Sequence, residues 1–230
     1  MSSAQDFISF TAILPIKFNS ERVPGKNFRA FRERPLYEHI LQKLAGVERI
    51  TKIVINTDAP LSSFNQMFGD SKFEFSARPK HLIGETISMN AIIDYEIQRT
   101  NDEFFFMTHT TNPLISSLTI NAMLDAFILN RGIHDSVVSV TKFYGRFFDK
   151  SGEPFNHNPA ELVRTQDLDP VLFENSCGYV FSDSSFKKSL SRIGDKPLYF
   201  ATPKLESIDI DDEDDWMIAS ALSMLGDENV

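Results

Sequence analysis

Four consecutive large apolar residues, Phe104-Phe105-Phe106-Met107, leave a strand no face for water. Such a strand must be covered on both sides, as the central strands of parallel sheets are. Further strand-like runs at 11–15, 52–56, 73–77, 136–141 and 178–182 flank this one, at 103–108, and alternate with helix-like stretches. Leu36, Ile40 and Leu44 recur at helical spacing, as do Ile87, Ala91 and Tyr95, and then Leu118, Ala122 and Ala126. The alternation predicts an α/β chain of βαβ units, an open and mostly parallel sheet flanked by helices. A last helix is expected from about Asp214 to Met224, with acids at its amino end, where the helix dipole favours them.

At 230 residues the chain fits one domain with a full core, and most of its 21 phenylalanines read as core and interface filler. Its net charge of −9 is unevenly placed. Leu205 to Val230 holds nine acids and no Lys or Arg, whereas Lys17 to Arg34 holds six basic residues against two acids. A local basic site in an acidic protein suits a small polyanion and argues against nucleic acid as a partner. The single Cys177 excludes an intrachain disulfide and is expected to be inert in a buried strand, and the five histidines lack zinc spacing. Met1 to Asp6 is polar, and the apolar run Phe10 to Ile16 is too short to span a bilayer. A reducing cytoplasm without membrane contact is the expected setting. From 142 to 173 the pattern lapses into Gly, Pro, Asn and mixed charge, too long for a simple loop, so this stretch is expected to reach out of the core.

Two places look chemical. Ala12-Ile13-Leu14 runs into a turn-rich loop carrying Lys17, Arg22 and Lys26, with Asn19, Ser20, Pro24 and Gly25 letting backbone amides face an anion. On charge alone, an ordinary loop with surface lysines reads equally well. Asp209 and Asp211 stand two apart in Ser207-Ile-Asp-Ile-Asp211, so on an extended strand both carboxylates share one face and suit Mg²⁺. Taken alone, the stretch from Asp211 to Asp215 also reads as an acidic helix start. Together, a cationic loop and a carboxylate pair are what a metal-bound triphosphate needs. Asp58, at the end of its strand, is expected to cap the next helix rather than bind metal.

The loop, at Lys17, Ser20, Arg22, Pro24, Lys26 and Asn27, resembles the amino-terminal signature of the CMP-sialic acid synthetases (acylneuraminate cytidylyltransferases). Five later segments resemble that family in the same order. They are Ile53 to Asp58, Arg78-Pro79 with Leu82, Thr110 to Leu114, Arg164 to Leu168 with Glu174 to Val180, and Ser207 to Asp211. The chain departs from the pattern at Lys17 and His109, where arginine and glutamine are usual, and at Glu21 and Ile115, where lysine and arginine are usual.

The resemblance implies a Rossmann-like fold of the nucleotide-diphospho-sugar transferase type, a single cytidylyltransferase domain over 1–230. Its partners would be CTP and a 2-keto sugar acid of nonulosonic type, with CMP-sugar and pyrophosphate as products. By the same resemblance Lys17, Arg22 and Lys26 hold the triphosphate as catalytic residues, and Ser20, Asn27 and Arg78 bind the nucleotide. His109, Thr111, Arg164, Gln166, Asn175 and Tyr179 face the sugar, and Asp209 and Asp211 hold Mg²⁺. The excursion at 142–173 would be a dimerisation subdomain, and the protein a homodimer. No side chain stands out as a general base. A Kdo-type acid as substrate is the near alternative, and a non-catalytic nucleotide-binding relative the distant one.

Overall fold

The computed structural model describes residues 7–65 and 71–225. Strand β1 (Phe10–Ile16) is buried along its whole length, and a loop and a small hairpin, β2 (Ala30–Phe31) with β3 (Arg34–Pro35), lead into α1 (Leu36–Ala45). β4 (Ile50–Thr57), β5 (Phe73–Ala77), α2 (Met89–Ile97), β6 (Phe104–Met107), α3 (Ser117–Asn130) and β7 (Ser136–Phe143) continue the alternation. β8 (Val171–Ser182), α4 (Asp183–Ser189), β9 (Pro197–Ala201) and α5 (Glu213–Leu225) follow. The main sheet runs β5-β4-β1-β6-β8-β7-β9, and β8 alone lies antiparallel to its neighbours. Chain order reverses at β1, between β4 and β6. The loops after these three strands therefore meet at one edge, where open α/β sheets take ligands.

The apolar run of β6 is divided between two cores. Phe106 joins Ala12, Leu14 and the inner faces of α1 and α3, while Phe105 and Met107 join Ile13, Ile93 and Phe186 on the other side. Against that layer β8 comes so close that a methyl group at Gly178 would lie 2.7 Å from the Phe106 ring. Gly178→Ala is therefore expected to cost roughly 1–3 kcal/mol of stability by overpacking, read as a lower denaturant midpoint with an unchanged slope.

All six expected strands are present, with shifted ends. The α1 stripe is as expected, but the stripes on α2 and α3 are not. α2 buries Ile92, Ile93, Glu96 and Ile97, while Ala91 is exposed and Tyr95 only half-buried. The buried acid breaks the apolar period because Asn56 Nδ2 and Ser76 Oγ both donate to Glu96 at 2.5 Å. α3 buries Thr119, Ile120, Met123, Leu124 and Phe127, leaving Leu118 and Ala122 exposed. With Thr119 buried and Leu118 exposed, polarity along this helix does not mark its inner face.

The irregular excursion is shorter than expected. β7 and β8 pair from Thr141↔Phe173 to Phe143↔Val171, so both strands run on as an antiparallel arm, and only 144–170 is irregular. β9 escaped the sequence pattern because it is a half-exposed edge strand opening on Pro197, where proline is tolerated. Asp209 and Asp211 lie on an extended segment outside the sheet, not on a strand, since Ile210 N donates to the Thr111 carbonyl at 2.8 Å instead of to a ladder partner. Ile210 is buried and Ile208 packs against the same cluster, so the two isoleucines share a face as expected. Among the described residues no helix is long and apolar enough to cross a membrane.

Candidate active site

The loop after β1 folds on itself before it meets anything else. Gly25 turns it at φ 63°, accepting backbone bonds from Phe28 and Arg29, and Val23 is buried beneath. Asp58 does not cap a helix: its Oδ1 accepts the Phe18 amide at 2.8 Å and pins the loop to the end of β4. Asn27 Nδ2 donates to the Lys17 carbonyl at 2.7 Å, and its Oδ1 accepts from Thr110 Oγ1 at 2.5 Å. Asn27 thus latches the loop to the end of β6.

Lys17, Ser20, Arg22, Lys26, Asn27, Arg78, His109 and Thr111 all line one cavity of about 490 Å³ at this edge. Arg78 is buried, with Nε on Asn56 Oδ1 at 2.6 Å and Nη2 on the Asn56 carbonyl at 3.1 Å. Nη1 makes no hydrogen bond among the described residues, which leaves it for a ligand. A larger cavity, about 1050 Å³, opens at the other end of the sheet, around Phe7, Phe10 and Asp102. Volume alone points there, but that end lacks the cationic loop and lies at the amino ends of the strands, so the smaller cavity is the candidate.

The acidic tail of the chain closes over the basic loop. Lys26 Nζ donates to the Ile210 carbonyl at 2.5 Å, Arg22 pairs with Asp211 at 2.7 Å, and Arg29 pairs with Glu213 and stacks 4.3 Å from the Trp216 ring centre. Burial pushes the Lys26 amine below its usual range, against the attraction of Asp211 and Asp209. Asp215 and Asp212 cap α5 reciprocally: Asp215 Oδ2 accepts from the Asp212 amide and also from that of Asp211, and the Asp215 amide donates to Asp212 Oδ1.

Asp209 is the anomaly. Its Oδ1 is buried without a hydrogen-bond partner, and burial raises its pKa, with Thr111 nearby acting in the opposite direction. An orphaned carboxylate oxygen near a second carboxylate, on the tail segment that packs against the basic loop, has the donor chemistry of a site for a hard divalent cation. Glu21 also lines the cavity beside Glu85, whose proximity and charge hold the Glu21 carboxyl above the usual range.

Four sequence-based sugar contacts are not at the cavity wall. Arg164 is exposed on the arm and paired with Asp167 at 2.7 Å, and Gln166 is exposed beside it. The Asn175 amide is consumed internally, donating to Thr141 Oγ1 and Thr202 Oγ1 and accepting from the Cys177 amide. Tyr179 is fully buried, its hydroxyl donating to Glu174 and accepting from Arg192 at 3.0 Å. Cys177 is buried, its thiol pushed up to about 12 by desolvation, and is inert as expected. Ile115 sits in the core, where an arginine has no place. Arg192 and Glu85 carry no motif and were not foreseen; Asp215 had a signal, the Asp-x-x-Asp spacing of a helix cap.

Residues 11–188 match the family model described as Cytidylyltransferase. The N-acylneuraminate cytidylyltransferase A of Danio rerio is 23% identical over 217 residues, 91% of this chain, which spans 49% of that relative's length. The CMP-N,N'-diacetyllegionaminic acid synthase of Legionella pneumophila is 25% identical over 94% of this chain and 97% of its own. The 3-deoxy-manno-octulosonate cytidylyltransferase of Blochmanniella floridana is 25% identical over 63% of this chain and 58% of its own. A CMP:2-keto-3-deoxy-manno-octonic acid synthetase solved with CTP has the same fold, at TM-score 0.63 and 11% identity, covering 96% of this chain and 99% of that one. So does a 4-diphosphocytidyl-2C-methyl-D-erythritol synthase from Anaerococcus prevotii, at TM-score 0.67 and 13% identity over 95% of this chain and 100% of that one. The chain belongs to the cytidylyltransferase family of nucleotidyltransferases and, within it, is similar to the CMP-sialic acid synthetases.

Proposed function

We propose that this protein transfers CMP from CTP to the anomeric hydroxyl of a 2-keto-3-deoxy sugar acid of nonulosonic type. The sugar oxygen attacks the α-phosphorus, the bond from that phosphorus to the β-phosphate bridge breaks, and pyrophosphate leaves. The observation that carries this reading is the gathering of Lys17, Arg22 and Lys26 at one cavity, with Asp211 paired to Arg22 and Asp209 acting on Lys26 from the tail just outside the cavity wall. Such chemistry is mostly positioning and charge neutralisation. Lys17, Arg22 and Lys26 hold the triphosphate, Arg78 offers Nη1 to the nucleotide, and Ser20 and the loop amides add donors. Asp209 and Asp211 would hold Mg²⁺, which supplies positive charge against the phosphate oxygens when bound. Asn27 acts by fixing the loop.

The nonulosonic branch is favoured over Kdo-type acids because the Legionella relative aligns along nearly its whole length, whereas the 3-deoxy-manno-octulosonate enzyme aligns over 58% of its own. The test is kcat/KM with CTP against sialic, legionaminic and pseudaminic acids and Kdo. Preference for a nine-carbon acid supports the assignment; preference for Kdo replaces it.

In this reading a second copy of the chain covers the arm, where Phe148, Phe155, Leu162 and Phe173 are exposed. Arg164 and Gln166 on the same arm would then reach the partner's sugar site. Leu162→Glu, at a side chain 91% exposed in the single chain, is expected to shift the sedimentation coefficient to that of a monomer and to abolish sugar turnover with CTP affinity retained. A dimer that persists would place the interface elsewhere.

Glu21→Lys removes negative charge from the triphosphate side of the cavity and releases Glu85. CTP is expected to bind about fivefold to tenfold more tightly, the scale of one solvent-screened charge. Calorimetric titration reads the change, and unaltered affinity would put Glu21 outside the phosphate field.

A further inference from the structure

The turn after α4 sends Arg192 toward the cavity, and its neighbours hold it from several sides. Its guanidinium lies 3.9 Å from the Tyr179 ring centre, Nη2 donates to the Tyr179 hydroxyl at 3.0 Å, and Nη1 donates to Met107 Sδ at 3.5 Å. Glu174 Oε1 stands 3.6 Å from Nη2, the Arg192 amide donates to Asn90 Oδ1, and the side chain is only 16% exposed. The remaining bond of Nη1 goes to His109 Nε2, at 3.3 Å.

That last bond fixes a tautomer. A guanidinium only donates, so Nε2 must accept, and the imidazole is neutral with its proton on Nδ1. A charged ring is opposed first by desolvation of the ring, then by Arg192 in contact with it and by Lys26 on the loop; these hold the His109 pKa down at about 3. Nδ1 makes no hydrogen bond among the described residues, and His109 lines the cavity.

We infer that Arg192 is a positioning residue that holds His109 as a neutral Nδ1–H donor, so that the sugar half of the site admits a carboxylate or acyl carbonyl oxygen there, which the opposite tautomer would reject. The selectivity rests on the cytidylyltransferase reading; the tautomer does not. A hydroxyl can turn to satisfy either kind of partner, whereas a carbonyl or carboxylate oxygen matches only a donor.

The test has two readouts. Long-range ¹⁵N–¹H correlation spectra of histidine-labelled protein, without ligand, are expected to give the Nδ1–H form for His109 in the wild type and in Arg192→Lys, which keeps a donor. In Arg192→Met they are expected to give a mixture or the Nε2–H form. Steady-state kinetics of Arg192→Met are expected to show KM for the sugar acid raised about tenfold, the loss of one good hydrogen bond. KM for CTP and kcat should stay within about twofold. In a His109→Gln background the same substitution should change nothing further. An unchanged tautomer in a folded Arg192→Met would overturn the positioning role. A full effect persisting without His109 would mean that Arg192 touches the substrate itself, which also overturns it. If the tautomer shifts while no sugar acid is turned over by the wild type, the functional reading fails and the positioning stands.

Discussion

Asp209→Asn is expected to lower turnover by about 10²–10³-fold while the melting temperature stays the same or rises. The carboxylate is poorly placed for stability: one oxygen is buried without a partner, and Asp211 and Asp215 add negative charge nearby. A neutral amide of the same shape removes a desolvated charge that the fold, on balance, disfavours. What it removes is one of the two carboxylates that would hold the cation, and losing one electrostatic element from such a centre typically costs about 10²–10³ in rate. Asp211→Ala is expected to lose turnover as well, but with a different stability profile, because it also frees Arg22 from its 2.7 Å pair. That pair is largely exposed, so its contribution is at most about 1 kcal/mol. A carboxylate kept at the expense of stability marks a functional position. Wild-type rates in Asp209→Asn would remove the metal assignment.

Lys26→Met is expected to cost about 10²–10³ in kcat/KM and, unlike Asp209→Asn, to destabilise the protein. Lys26 is buried, and its ammonium bridges the basic loop to the Ile210 carbonyl between the two aspartates. Methionine fills the volume but leaves that carbonyl unpaired and the two carboxylates less compensated, for a loss of roughly 1–3 kcal/mol. Arginine does not rescue it, since a planar guanidinium needs more room than a side chain 8% exposed can find. Thermal melts and CTP titrations separate the two effects. Full activity in Lys26→Met would confine this lysine to a structural role.

Much of this was legible from the sequence because the signals are local. The unbroken run at β6, the turn residues after β1 and the Asp-Ile-Asp spacing each encode their geometry within a few residues, and all six proposed strands exist. The uneven charge of the chain also has a structural meaning: the basic loop and the acidic tail are stitched together by Lys26, Arg22 and Arg29. What the sequence hid is non-local. The orphaned oxygen of Asp209 follows from how the tail folds back against Thr111, a contact spanning nearly half the chain. Arg192 sits in an ordinary turn, and only tertiary packing brings it to His109. Asn175 and Tyr179 look like ligands in the one-dimensional pattern, yet the folded chain consumes their polar atoms internally. The helical stripes failed on α2 because Glu96 is buried, and on α3 because Thr119 is buried while Leu118 and Leu129 face solvent.

The most direct test of the central claim is ³¹P NMR of the protein mixed with CTP, Mg²⁺ and a nonulosonic acid. The account predicts equimolar growth of pyrophosphate and of a CMP-sugar phosphodiester, absent when either the acid or Mg²⁺ is omitted and absent in Asp209→Asn. Bound CTP that yields neither product with any 2-keto sugar acid, or that yields inorganic phosphate instead, would contradict it.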